Sequence, residues 1–227
     1  MRLMPSAKKV KFPVNEKAGE VSALLVRPEK ARALYIFAHG AGAGMTHRFM
    51  DAAAEKLAAR GVATLRYQFP YTEKGSKRPD SEATLTATVR AAIAAAEKHA
   101  GDLPRFAGGK SMGGRMTSLA AAKEPLAGVR GLIFFGFPLH AAGKPSDTRA
   151  EHLRSVGLPM LFLQGTRDAL ADLKLLRPLA QRLKRAELFV VEGGDHSFHM
   201  LKSSGRSDDE VLDEIAAKAA AWIDALL

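Results

Sequence analysis

Gly108-Gly109-Lys110-Ser111-Met112-Gly113-Gly114-Arg115 is the stretch whose reading decides the fold. It lies where a short strand-like run, Arg105-Phe106-Ala107, gives way to the helix-forming Met116-Thr117-Ser118-Leu119-Ala120. Its centre is a G-x-S-x-G pattern, the sequence of a serine held on a sharp strand-to-helix turn. Side chains two residues to either side would press on the backbone of such a turn, and glycine stands at both places. Twenty glycines in 227 residues make the pentapeptide a common accident, so its weight comes from what surrounds it.

Outward from this turn the chain alternates β-rich runs with helical stretches. Strands are predicted at Lys9 to Phe12, Val21 to Arg27, Ala33 to Ala38, Val62 to Phe69, Arg105 to Gly108, Val129 to Phe137, Met160 to Gln164 and Glu187 to Val191. Helices are predicted at Thr46 to Arg60, Ser81 to Ala100, Met112 to Lys123, Thr148 to Val156, Ala169 to Lys184 and Asp208 to Leu226. Phe49, Ala53 and Leu57 recur at helical spacing, as do Leu85, Val89 and Ile93, which marks core faces. Ser207-Asp208-Asp209-Glu210 is a capping-box sequence opening the last helix. Leu132-Ile133-Phe134-Phe135 and Met160-Leu161-Phe162-Leu163 are apolar without alternation, as strands buried on both faces are. The first three strands follow one another closely and are expected to pair locally. The later ones are separated by helices long enough for parallel crossovers, which predicts a mixed sheet covered on both sides.

In an open α/β sheet, ligands bind beyond the carboxyl ends of the strands. Four of those ends carry chemistry: His39-Gly40-Ala41-Gly42-Ala43-Gly44, Ser111, Gly165-Thr166-Arg167-Asp168, and Glu192-Gly193-Gly194-Asp195-His196. Ser, Asp and His thus appear in the order that a serine acyl-transfer site on such a sheet requires. A serine hydroxyl is a poor nucleophile until a bonded imidazole takes its proton, and the imidazole needs a carboxylate at its other nitrogen. Ser111 is the expected nucleophile and His196 the base, with His199 as its rival. Asp168 is the expected acid, with Asp172 as the alternative. Asp195 reads as a turn former, and His39 as a structural residue ordering the glycine turn. The backbone N–H of Met112 and that of Ala41, with Gly42 as alternative, are the expected oxyanion donors. Phe69, Tyr71, Met112, Phe137 and Leu139 are candidate walls of the substrate site.

Other chemistries fit less well. Gly109-Lys110-Ser111 ends like a phosphate loop, but the first glycine of that motif would fall on Pro104. Gly40 to Gly44 imitates a dinucleotide loop, but Met45 and His47 stand where the third glycine belongs. Lys110 is therefore read as a variable position of the turn. The histidines form no metal-ligand spacing, and no metal or cofactor is expected. Without cysteine, disulfides, thiolate sites and a cysteine nucleophile are excluded, and a reducing compartment suits the chain. The net charge of +10 is scattered without an aromatic-interleaved stripe, so nucleic acid is not expected as a partner. No run approaches the about 20 apolar residues of a membrane helix, and Met1 to Ser6 lacks a secretory core. The expectation is a cytoplasmic protein with one domain over residues 1–227, acting on a small acyl substrate and not on a membrane.

These motifs together, with Arg66-Tyr67-Gln68-Phe69-Pro70-Tyr71 and Gly193-Gly194-Asp195-His196-Ser197-Phe198, resemble the α/β-hydrolases of the dienelactone-hydrolase-like group. Within it they resemble the branch of the testis-expressed hydrolase-like protein and the hydrolase-like domain of an NSL-complex subunit. The resemblance implies an α/β-hydrolase fold with about eight mostly parallel strands and helices on both faces, and the segment from Pro138 to Ser155 has room for a short excursion but no separate cap domain. It implies a serine acyl-transfer site and little about the substrate; the expected function is a serine esterase acting on carboxylic esters, with thioesters or activated amides as further substrates, or alternatively a catalytically weak binding or scaffold module. Dienelactone hydrolases proper use cysteine, which this chain lacks, so the lactone is not implied.

Overall fold

A computed structural model describes residues 6–227; Met1 to Pro5, the start of the stretch read for a secretory core, lie outside them. Eight strands form a single sheet: β1 (Lys8–Asn15), β2 (Gly19–Val26), β3 (Ala33–Ala38), β4 (Val62–Tyr67), β5 (Arg105–Lys110), β6 (Val129–Phe135), β7 (Met160–Gly165) and β8 (Ala186–Val191). Their spatial order is β1-β2-β4-β3-β5-β6-β7-β8. The first two strands are an antiparallel pair, β2 runs antiparallel to β4, and every pairing from β4 to β8 is parallel.

Against the expected local pairing of the first three strands, β3 does not pair with β2 but lies between β4 and β5. The reason is its composition: all six residues are buried, so the strand needs cover on both faces. Leu34, Ile36 and Ala38 enter one core while Ala33, Tyr35 and Phe37 enter the other, as the two-residue pleat demands. β6 splits in the same way, Leu132 and Phe134 against Ile133 and Phe135.

The helices are α1 (Arg48–Ala59), the single turn α2 (Pro70–Glu73), α3 (Glu82–Ala100), α4 (Met112–Lys123), α5 (Leu173–Arg182) and α6 (Asp208–Asp224). α1 and α6 bury Met50, Ala53, Leu57, Val211, Ile215 and Trp222 on one face of the sheet, and α3, α4 and α5 cover the other. The capping box opens α6 as expected, with Ser207 and Glu210 satisfying each other's backbone N–H. The helix expected at Thr148 to Val156 is a 3₁₀ helix, Thr148–Ser155, and α5 starts later than expected because Asp172 caps it by accepting from Lys174 N–H at 2.8 Å. Among the described residues no helix is long and apolar enough to cross a membrane.

Candidate active site

β5 ends in Lys110, Ser111 follows at φ +50° and ψ −117°, and α4 begins at Met112. A non-glycine residue is rarely found there, and holding it costs about 1–3 kcal/mol. The glycines around it are required by close approach. A methyl group on Gly113 would come within 2.6 Å of the carbonyls of Ala38 and His39, and one on Gly109 within 2.5 Å of Ala38 O. β3 and α4 can therefore touch only where both side chains are absent. The Ser111 N–H is fixed to Phe135 O at 3.1 Å, which ties the turn to β6.

Three loops meet at the hydroxyl. His196 Nε2 lies 2.8 Å from Ser111 Oγ, and His196 Nδ1 lies 2.7 Å from Asp168 Oδ2. The His196 side chain is 24% exposed and that of Asp168 is fully covered. Asp168 is held from two further sides. Gln164 Nε2 donates to Oδ2 and Leu170 N–H to Oδ1 at 2.7 Å, while Gln164 Oε1 accepts from Phe137 N–H at 2.9 Å. The carboxylate is thus aimed by a buried glutamine that the sequence reading did not single out. Every donor points at an oxygen, which suits an ionised acid.

The rivals have other partners. Asp172 caps α5. His199 pairs with Asp208 at 2.7 Å on the surface. Asp195 accepts from the N–H groups of Ser197 and His199 at 2.7 and 2.8 Å, a turn former. His39 is fully buried, with Nδ1 against Gly40 O at 2.8 Å and Nε2 accepting from Phe69 N–H at 3.3 Å. Burial pushes its pKa down to about 4, so it is a neutral brace for the glycine turn.

Beside Ser111 and His196 opens a cavity of about 700 Å³, lined by Ala41, Phe49, Phe198, Leu170 and Leu212 among others. Ala41 N–H and Met112 N–H are not taken by another acceptor among the described residues. The expected walls are corrected. Phe69, Tyr71, Phe137 and Leu139 are buried in the core on the far side and do not line the cavity, and the Met112 side chain packs against that same core. They follow strand ends in the chain, but beyond those ends Phe69 and Tyr71 belong to the turn α2, and all four join the core cluster that α3, α4 and α5 cover. Phe49 and Phe198 wall the cavity instead, their rings stacked with centres 6.1 Å apart. Among the described residues no group of three or more His, Asp or Glu side chains is arranged to hold a metal ion.

A parallel sheet with helices on both faces, and Ser, Asp and His meeting at its carboxyl edge, defines the α/β-hydrolase class. The chain belongs to that family: the model of the alpha/beta hydrolase domain matches residues 31–224. The fold is similar to that of a dienelactone hydrolase from Anabaena variabilis, with 22% identity, a TM-score of 0.76 and coverage of 99% of this chain and 100% of that one. It is similar to a serine hydrolase homologue from Coxiella burnetii (20% identity, TM-score 0.73, 96% and 99% covered). A lidless serine hydrolase from Xanthomonas campestris matches too (18% identity, TM-score 0.73, 98% of each chain covered). Proteins from two strains of Mycobacterium tuberculosis that carry a phosphoribosyl transferase name are 28% identical over 206 residues, 89% of this chain. The chain spans less than half of those proteins, 43% of their length.

Proposed function

We propose that this chain is a serine hydrolase that cleaves carboxylic esters, and thioesters with them, through an acyl-enzyme. The observation that carries the reading is the continuous chain of hydrogen bonds Ser111 Oγ to His196 Nε2 to His196 Nδ1 to Asp168 Oδ2, at 2.8 and 2.7 Å, opening on the cavity. Ser111 Oγ attacks the acyl carbon while its proton passes to His196 Nε2. Asp168 keeps the Nδ1–H bonded, fixing the tautomer and balancing the imidazolium. The oxyanion is received by the N–H groups of Met112 and Ala41. Collapse breaks the bond to the leaving group, which takes the proton from His196. Water then attacks the acyl-enzyme with His196 as base, the acid departs and Ser111 regains its proton.

Phe49, Phe198, Leu170 and Leu212 give the cavity an apolar side suited to small or medium acyl groups. The substrate is a small molecule, and the scattered lysines and arginines are a solvated surface rather than a polyanion site. The five quoted motif segments support the testis-expressed and NSL-type branch. A cysteine-free chain supports a cytoplasmic place. The transferase named for the mycobacterial relatives belongs to much longer proteins and is not carried over.

Ser111→Ala is expected to abolish turnover of a short-chain p-nitrophenyl ester with the fold intact; undiminished turnover would sink the assignment. A fluorophosphonate probe should label Ser111 in the folded parent, and the scaffold alternative requires that it does not.

A further inference from the structure

Lys110 has no part in the reaction written above. Its ammonium donates to the backbone carbonyl of His196 at 2.6 Å and lies 5.8 Å from the ring centres of both Phe49 and Phe198. Gly136 leaves it room. That residue sits at φ +67°, and a methyl group there would lie 3.0 Å from Lys110 Nζ and 3.1 Å from His196 O. No backbone N–H among the described residues donates to this carbonyl. The outer side of the same loop is fastened separately, by the Asp195 turn and by Asp208, which accepts from Met200 N–H at 2.8 Å and pairs with His199.

An ammonium is a costly way to satisfy a carbonyl, because a water or an amide would do so without desolvating a charge. Here burial pushes the Lys110 pKa down from 10.5 to about 8, against the opposing pull of Asp168 and Asp195. The fold therefore keeps a destabilising group next to the serine, and satisfying one carbonyl does not account for it.

We propose that Lys110 is a positioning residue whose cationic hydrogen bond to the His196 carbonyl locks the base-bearing loop to the strand end that carries Ser111. Nucleophile and base then share one rigid frame. The inference rests on the serine-hydrolase reading, in which the imidazole must reach first Ser111 Oγ and then the leaving atom. A misplacement of about 1 Å at such a step costs about 100-fold in rate. A charge-assisted bond is about twice as strong as a neutral one, so loss of the lysine proton loosens the tether. The charged or titratable groups facing the ammonium are Asp168 after β7 and Asp195 and His196 after β8. His47, Arg48, Asp208 and Asp209, at the starts of α1 and α6, line the same cavity.

The test compares the parent with Lys110→Met and Lys110→Arg. With p-nitrophenyl butyrate, Lys110→Met should lower kcat by about 10- to 100-fold while KM stays within about twofold. Lys110→Arg should recover most of that loss. The parent's kcat should fall as pH rises through about 8, and the arginine variant, which stays charged, should lack that fall. A methionine variant as fast as the parent, or an arginine variant as slow as methionine, overturns the proposal. Hydrogen exchange of residues 195–199 gives a readout without catalysis and is expected to be faster in Lys110→Met; unchanged exchange also overturns it. Fluorophosphonate labelling of the parent separates the two readings, because an unlabelled Ser111 defeats the hydrolase while leaving the exchange result to judge the tether.

Discussion

Replacing Ser111 by glycine should give a more stable protein than replacing it by alanine, which reverses the usual order. At an ordinary position glycine is the worse choice by about 0.5–1 kcal/mol, because the unfolded chain gains freedom. Ser111, however, sits at φ +50° and ψ −117°, a conformation that costs a residue with a Cβ about 1–3 kcal/mol and glycine almost nothing. Both substitutions remove the hydroxyl and its 2.8 Å bond to His196, so that loss cancels between them. The difference isolates backbone strain. Strain relief less the entropy cost leaves Ser111→Gly ahead by about 1 kcal/mol, which is about 2–4 °C in Tm for a domain of this size. Paired thermal and urea denaturation of the two variants measures it, and neither should turn over an ester. If alanine proves equally stable or better, the elbow at Ser111 is not strained and the reasoning fails.

Asp168→Asn would set an amide N–H₂ among groups that already donate, from His196, Gln164 and Leu170. kcat should fall by about 10³–10⁴-fold, as expected when the orienting carboxylate of a serine triad becomes an amide, and a stopped assay on p-nitrophenyl butyrate would reveal a smaller loss. Lys110→Met should stabilise the fold even as it slows the enzyme. Depression of the lysine from 10.5 to about 8 amounts to about 3 kcal/mol, of which residual solvent contact and the orphaned His196 carbonyl leave about 1–2 kcal/mol. Because the lysine pKa is lower in the folded than in the unfolded chain, the unfolded state holds the extra proton between the two values. Parental stability therefore rises with pH across that window. The advantage of the methionine variant is complete below about pH 8 and disappears toward 10.5; urea titrations at neutral and alkaline pH that found a constant gap would contradict it.

The sheet was legible because its central strands advertise burial on both faces, as Leu132 to Phe135 does. The elbow was legible because Gly109 and Gly113 have no freedom to be anything else. The position of β3 was not, since adjacency in the chain suggested pairing with β2 and only the need to cover both its faces puts it inside. The site's long-range partners followed from strand ends, where position in the chain dictates position in space. Its walls did not. Phe69 and Phe137 follow strand ends as closely as any residue, yet the direction of a side chain depends on the pleat and on the turn that ends it. Phe49 was read with Ala53 and Leu57 as a core stripe, and in the fold that stripe emerges into the cavity at its first residue. Lys110 offered no signal of its own, because its partner is a backbone carbonyl 86 residues away.

That spacing bears on how the molecule comes into being. Ser111 meets an imidazole 85 residues further along, itself fixed by an acid 28 residues before it, and the base arrives only after β8, at the edge of the sheet. On the proposed mechanism Ser111 gains its base only when the last strand docks, so a copy truncated before β8 carries the serine without the imidazole. Cleaving the chain between β6 and β7 would divide the reacting groups between two inert fragments, each able to report on the arrival of the other.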